Sequence, residues 1–225
     1  MVERRAPKTQ FILALGVSTL VSIGLFAYGA WRNHSTAYEY LIWNLFLAWL
    51  PLLFALWLTK TLHTKLWSSW EAMLASGLWL IFLPNSFYMV SDFIHLRDIQ
   101  TVDVLYDAVM FTSFVFTSLV LGFSSVYLIH KQLSRRFKPR AAGSWIAFTL
   151  LLCGFAVYLG RDLRWNSWDI LTNPAGLLFD VSDRFLHLNN YPQMLLTALS
   201  FFVLLGSMYG LAYRAVHLLK ETPDS

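Results

Sequence analysis

AVMFTSFVFTSLVLGFSSVYLI, residues Ala108–Ile129, runs for 22 positions without an Asp, Glu, Lys or Arg. As an α-helix it would measure about 33 Å, enough to cross a hydrocarbon core of about 30 Å. Five more uncharged runs flank it: Phe11–Trp31, Leu41–Thr59, Ala72–Ser91, Ala141–Gly160 and Tyr191–Tyr213. Each is long enough to span, so together they predict an all-α integral membrane protein, a six-helix bundle forming a single membrane domain over 1–225. A soluble enzyme built around one water-facing core is excluded. The longest connection, 161–190, has 30 residues, too few for an appended soluble domain of ordinary size. Any site must therefore be assembled from helix ends and short loops.

The charges outside the six runs are sorted by sign. Of 17 Lys and Arg, twelve lie at the N-terminus, between spans two and three, between spans four and five, and at the C-terminus. The other five are Arg32, Arg97, Arg161, Arg164 and Arg184. The positive-inside bias then predicts that both termini are cytoplasmic. It also accounts for the net charge of +4, so no nucleic-acid partner is expected. The acidic residues need another explanation, because insertion does not require them. Nine of the 13 fall on the opposite, outer side: Glu39, Asp92, Asp98, Asp103, Asp107, Asp162, Asp169, Asp180 and Asp183.

Some features concern assembly. The single cysteine, Cys153, lies inside the fifth span, so neither a disulfide framework nor a cysteine metal site is available. The basic start before Phe11 and the small residues around Ala27-Tyr28-Gly29 resemble a signal peptide, but the long apolar run favours an uncleaved first helix. Gly206 and Gly210 form a small-xxx-small pair, expected to pack inside the monomer, with a dimer seam as the alternative.

The chemistry concentrates near the outer ends of spans three, four and five. In span three, Pro84 removes a helical hydrogen bond, so a kink there should face protein or water. If helix resumes beyond it, Asn85, Tyr88, Asp92 and His95 share one face, a polar stripe rising from the bilayer to the outer surface. Asp103 and Asp107 stand one helical turn apart with Tyr106 between them. They could share a divalent metal, split into an acid and a base, or cap their helix; capping suits Asp103 better than the deeper Asp107. Arg161 and Arg164 end span five at headgroup depth, where a guanidinium can grip phosphate with two donors.

Between spans five and six, Asn173-Pro174 marks a helix start followed by the apolar stripe Leu177, Leu178, Val181, Phe185 and Leu188. Asp180, Asp183, Arg184 and His187 occupy the other face. This predicts an amphipathic surface helix lying on the outer side of the membrane. Asp183 and His187 have metal-ligand spacing, which on such a face more often belongs to a solvated pair.

Metalloprotease, serine-hydrolase, P-loop and dinucleotide signatures are absent. Ion-coupled transport is disfavoured by spans that carry none of the four charged residue types. The blocks that remain are Trp43-Asn44-Leu45-Phe46-Leu47-Ala48-Trp49-Leu50-Pro51, Leu83-Pro84-Asn85 with Tyr88, Asp92 and Ile94-His95-Leu96, Tyr106-Asp107, and Gly160-Arg161 through Asp169. In this order, over roughly 38–175, they resemble the domain-of-unknown-function family numbered 1361. The resemblance implies a bacterial polytopic membrane protein of no established activity, in the plasma or inner membrane. It differs in having Ser86-Phe87 where that family often has Ala-Pro, and Leu105 where it has Trp.

The sequence thus leads to an outward-facing polar pocket lined by Asn85, Tyr88, Asp92, His95, Asp107, Arg161, Arg164, Asn166 and Asp169. Asp92, His95 and Asp107 would be its catalytic groups, positioning a divalent metal or moving a proton. Asn85, Tyr88, Arg161, Arg164, Asn166 and Asp169 would bind substrate. The expected partners are the lipid bilayer and the phosphorylated head group of a lipid or envelope precursor, acted on by a transferase or hydrolase. The alternative is a non-enzymatic membrane assembly partner or permease, whose outer charges stabilise short loops through ion pairs.

Overall fold

Each uncharged run folds largely as one α-helix that extends past it into polar sequence at one end or both, although the third leaves α-helix at Tyr88, short of Ser91. The structure, a computed structural model, describes residues 7–98 and 104–221, apart from the side chains of 7, 95–98 and 219–221. The long helices are α1 (Pro7–Asn33), α2 (Tyr40–Thr61), α3 (Trp70–Tyr88), α4 (Val104–Ser134), α5 (Pro139–Asp162) and α8 (Pro192–Glu221). Two short ones, α6 (Asp169–Thr172) and α7 (Pro174–Leu186), lie between α5 and α8. Six helices are long and apolar enough to cross a membrane, and no strand occurs among the described residues.

Burial in α2 follows helical periodicity. Leu41, Leu45, Ala48, Leu52, Ala55 and Leu58 are buried along one side, packed with Ala75, Trp79, Leu83 and Phe87 of α3 and Phe111, Phe114 and Leu121 of α4. Helices α2, α3 and α4 form the inner cluster; α1 packs on α4, and α5 pairs with α8 while touching α3. Leu20, Leu74, Phe116, Leu196, Val203 and Leu211 remain exposed on the outside. A surface this apolar would aggregate in water and suits contact with lipid chains.

Inside an apolar bundle, helix association depends on close packing and interhelical hydrogen bonds. Gly122 of α4 lets the helix approach α3, since a Cβ there would lie 2.8 Å from Ser86 Cβ. Gly154 of α5 is tighter still, because its Cβ would collide with the backbone carbonyl of Ala198 in α8. The expected monomer packing at Gly206 and Gly210 does not occur: a Cβ on either meets nothing within 4 Å. Both helices contain small residues, and which ones meet depends on relative rotation, a tertiary property that spacing within α8 does not encode.

Hydroxyls and amides serve the backbone near each proline. Pro51 sits inside α2, and Ser86 Oγ donates to the carbonyl of Ala48 at 3.1 Å. Pro84 sits inside α3, where Ser167 Oγ donates to Ile81 O at 3.2 Å and Asn85 Nδ2 to Phe82 O at 3.0 Å. Side-chain donors thus reach the helical turns that proline loosens. Ser118 Oγ of α4 donates to Ser86 O at 2.6 Å, tying a third helix into the same seam. On α1, Ser18 Oγ pairs with Thr117 Oγ1 at 2.6 Å, Trp49 Nε1 donates to Thr19 Oγ1, and Tyr106 Oη donates to Leu25 O.

Candidate functional site

After Tyr88 the chain tightens into a 3-10 helix, Met89–Asp98, in place of the continued α-helix expected beyond Pro84. Such runs seldom exceed three or four residues, so tertiary contacts must hold this one. Buried Met89, Ser91 and Asp92 anchor it, and Ser91 Oγ donates to Tyr88 O at 2.6 Å. The tightening still leaves Asn85, Tyr88 and Asp92 facing one cavity of about 420 Å³.

This cavity lies where α2 begins and where α3 and α5 end. Tyr40, Trp43 and Asn44 come from α2, Pro84, Asn85 and Tyr88 from α3, and Gly160 from α5. Trp165, Asn166, Ser167 and Trp168 close it from the connection after α5, and Leu177 of α7 completes that wall. Gly160 makes room for the Tyr88 ring, whose Cε2 would lie 3.1 Å from a Cβ there. Arg164 adopts a left-handed backbone, φ 59°, a conformation costing an L-residue about 1 kcal/mol. It turns the chain back so that the Trp165 N–H reaches Leu159 O at 3.2 Å, placing Trp165 through Trp168 over the opening.

Asp92 is only 3% exposed. Asn44 Nδ2 donates to its Oδ2 at 3.1 Å. Asn85 bridges to Ser167 Oγ at 2.9 Å, which pins the closing connection to α3. Arg161 does not line the cavity; it borders a neighbouring depression with Val90, Ser91, Phe93 and Ile94, and its charge acts on Asp92 and Tyr88. Arg164 is exposed near the same end. Asp107, 2% exposed, sits in the first turn of α4, where negative charge is favoured, and is not part of the cavity lining. The His95 side chain and Asp103 lie outside the described residues.

Residues 43–207 match the family described as "Protein of unknown function (DUF1361)". The chain belongs to that family. The match runs on into α8, so the DUF1361 region includes α7 and about half of the final helix. No curated protein and no solved structure matches the chain.

Asp169 has a local role in this DUF1361 protein. It accepts the Asn166 N–H at 2.7 Å and the Thr172 hydroxyl at 3.0 Å. The Asn166 backbone bond leads in holding its carboxyl below the ordinary carboxylate range. Asp169 therefore shapes the turn that presents Asn166 and Ser167. Among the described residues, no three His, Cys, Asp or Glu side chains gather into a metal-binding group; a cation at the cavity would combine Asp92 with neutral amide and hydroxyl oxygens.

Helix α7 forms where expected, started by Asn173, whose Oδ1 accepts the Gly176 N–H at 3.1 Å, and by Pro174. Its polar residues do not all face solvent. Arg184 is 9% exposed, bonded to Asp180 O at 2.9 Å and set over the Tyr191 ring at 5.0 Å. Trp165 Nε1 donates to Asp180 Oδ2 at 2.8 Å, so Asp180 and Arg184 fasten α7 over the cavity while Leu178, Phe179 and Phe185 stay exposed. The apolar stripe was legible in sequence; the inward arginine was not, because the Tyr191 ring it lies over comes from another segment.

Asp183 accepts Tyr191 Oη at 2.6 Å and pairs with His187 Nδ1 at 3.0 Å. The Tyr191 bond, then His187, holds the Asp183 carboxyl below its ordinary value. A lowered folded value means this contribution is complete above the unfolded carboxylate pKa, about 3.9, and disappears as pH falls through the folded value. Amide exchange in α7, corrected for its intrinsic pH dependence, should therefore accelerate below about pH 4. Asp183→Asn should show no such acid-dependent step. Equal acid responses in the two proteins would remove Asp183 as the clasp.

Sequence reasoning overlooked Asn44, Ser167 and the indoles of Trp43 and Trp165 as members of the cavity. Asn44 did carry a signal, being the only amide in an otherwise apolar run of α2. Ser167 carried none, since its role depends on a fold-back governed by Arg164 and Asp169.

Proposed function

We propose that this protein lies in the cell membrane of a bacterium with both termini cytoplasmic, and that its cavity opens on the outer side to bind the phosphorylated head of a lipid or envelope precursor. The observation that carries this reading is Asp92, a carboxylate kept 3% exposed in the lining of a cavity at the end of an apolar bundle. Ionisable groups at membrane depth are costly and usually serve a ligand or a reaction. Arg161 and Arg164 at the same end supply the cationic rim that a phosphate needs. Asp92 is placed to accept a hydrogen bond or a proton from the head group, which suits binding followed by transfer or hydrolysis.

The test is lipid retention by protein purified in nanodiscs of mixed composition. The native protein should enrich phosphorylated lipid over the bulk, and Arg161→Ala with Arg164→Ala should reduce that enrichment about tenfold or more. Retention equal to bulk composition, or unchanged in the double variant, would remove the head-group reading.

A further inference from the structure

We infer that the cavity takes the ammonium end of a zwitterionic head group, with Asp92 as its counter-charge and the phosphate held outside on the arginine rim. The inference rests on the head-group reading above and specifies which lipids satisfy it.

Charge placement is the first argument. Among the described lining residues Asp92 is the sole Asp, Glu, Lys, Arg or His; the others are aromatic, amide, hydroxyl or aliphatic. Asn44 gives Asp92 a hydrogen bond but no neutralising charge. A phosphate drawn into the cavity would meet this carboxylate without a lining cation, so like charges would repel at low dielectric. A neutral sugar or glycerol could share hydrogen bonds with Asn85 and Asp92, yet would leave the buried charge uncompensated. A cation supplies the counter-charge that the lining itself lacks.

The walls support the same choice. Tyr40, Trp43, Tyr88 and Trp165 all line the space, and aromatic rings attract ammonium groups through their electron-rich faces, most strongly where water is excluded. Arg161 borders the adjoining depression on the 3-10 segment that also carries Asp92. Positive rim and negative interior therefore lie side by side, the reverse of a phosphate joined by a short linker to an amine. This arrangement selects head groups by their charged amine while the arginines select phosphate.

Competition binding on the full-length protein in nanodiscs, read by quenching of tryptophan fluorescence, tests this with two soluble probes sharing one phosphate: phosphocholine and glycerol phosphate. Phosphocholine should bind about tenfold or more tightly. Asp92→Asn, nearly the same shape, should erase that preference while leaving phosphate-dependent binding, and Arg161→Ala should weaken both probes by a similar factor. Equal binding of the probes to native protein, or a preference that persists in Asp92→Asn, overturns the ammonium assignment alone. Binding of neither overturns the head-group reading and this inference with it. Should Asp92→Asn fail to fold, the native protein's discrimination between the probes decides.

Discussion

Gly154→Ala is expected to destabilise the protein by about 2 kcal/mol, whereas Gly206→Ala should be neutral or stabilise it by up to about 1 kcal/mol. Both substitutions add one methyl group to a helix interior, and in an isolated helix both would be favourable because alanine loses less backbone freedom than glycine. Their surroundings differ. A Cβ at Gly154 collides with the Ala198 carbonyl, a backbone atom of α8 that moves only if the helix moves. It also lies 3.2 Å from Phe201 Cβ. At Gly206 a Cβ meets nothing within 4 Å. Unfolding of the two variants in detergent by SDS or heat provides the measurement. The contrast between the sites is the content of the prediction, and similar effects at the two would mean that α5 and α8 meet on different faces.

The consequence reaches the cavity. Helix α5 carries Gly160, which accommodates Tyr88, less than two helical turns beyond Gly154. Separating α5 from α8 would shift Gly160 and the connection that closes over Asp92. Loss of lipid retention in Gly154→Ala would therefore report displaced walls, even though Gly154 itself lies away from the ligand.

The sequence made the six helices legible because the bilayer imposes a length and a composition, and both can be read one segment at a time. Ala108–Ile129 needs no knowledge of its neighbours to be recognised. Of the site, Asn166 was legible from a distant connection, and the rest only where it is local. Asn85, Tyr88 and Asp92 follow one another along a single segment, and they do meet in one cavity. Asp107 was expected beside Asp92 as a catalytic group, but position along a helix says nothing of rotation about the bundle axis, and α4 places it outside the lining. Asn44 and Asp92 are 48 residues apart. Their pairing follows from the antiparallel approach of α2 and the end of α3, which no pattern within either segment specifies.

That pairing yields the second large effect. Asn44→Leu should cost about 2–3 kcal/mol, since it takes a donor from a nearly buried carboxylate and leaves that group's desolvation uncompensated. Asp92→Leu should do the opposite, staying within about 1 kcal/mol of the native protein or exceeding it, because it removes the charge together with the need for a donor. The double variant should resemble Asp92→Leu, so the two substitutions will be strongly non-additive. A carboxylate retained for the fold would give another pattern: Asp92→Leu would then destabilise at least as much as Asn44→Leu. Denaturation of the three variants separates these cases before any ligand is identified. A bundle that gains or keeps stability on losing Asp92, yet loses its preference for phosphocholine, would place the cost of that buried charge in binding.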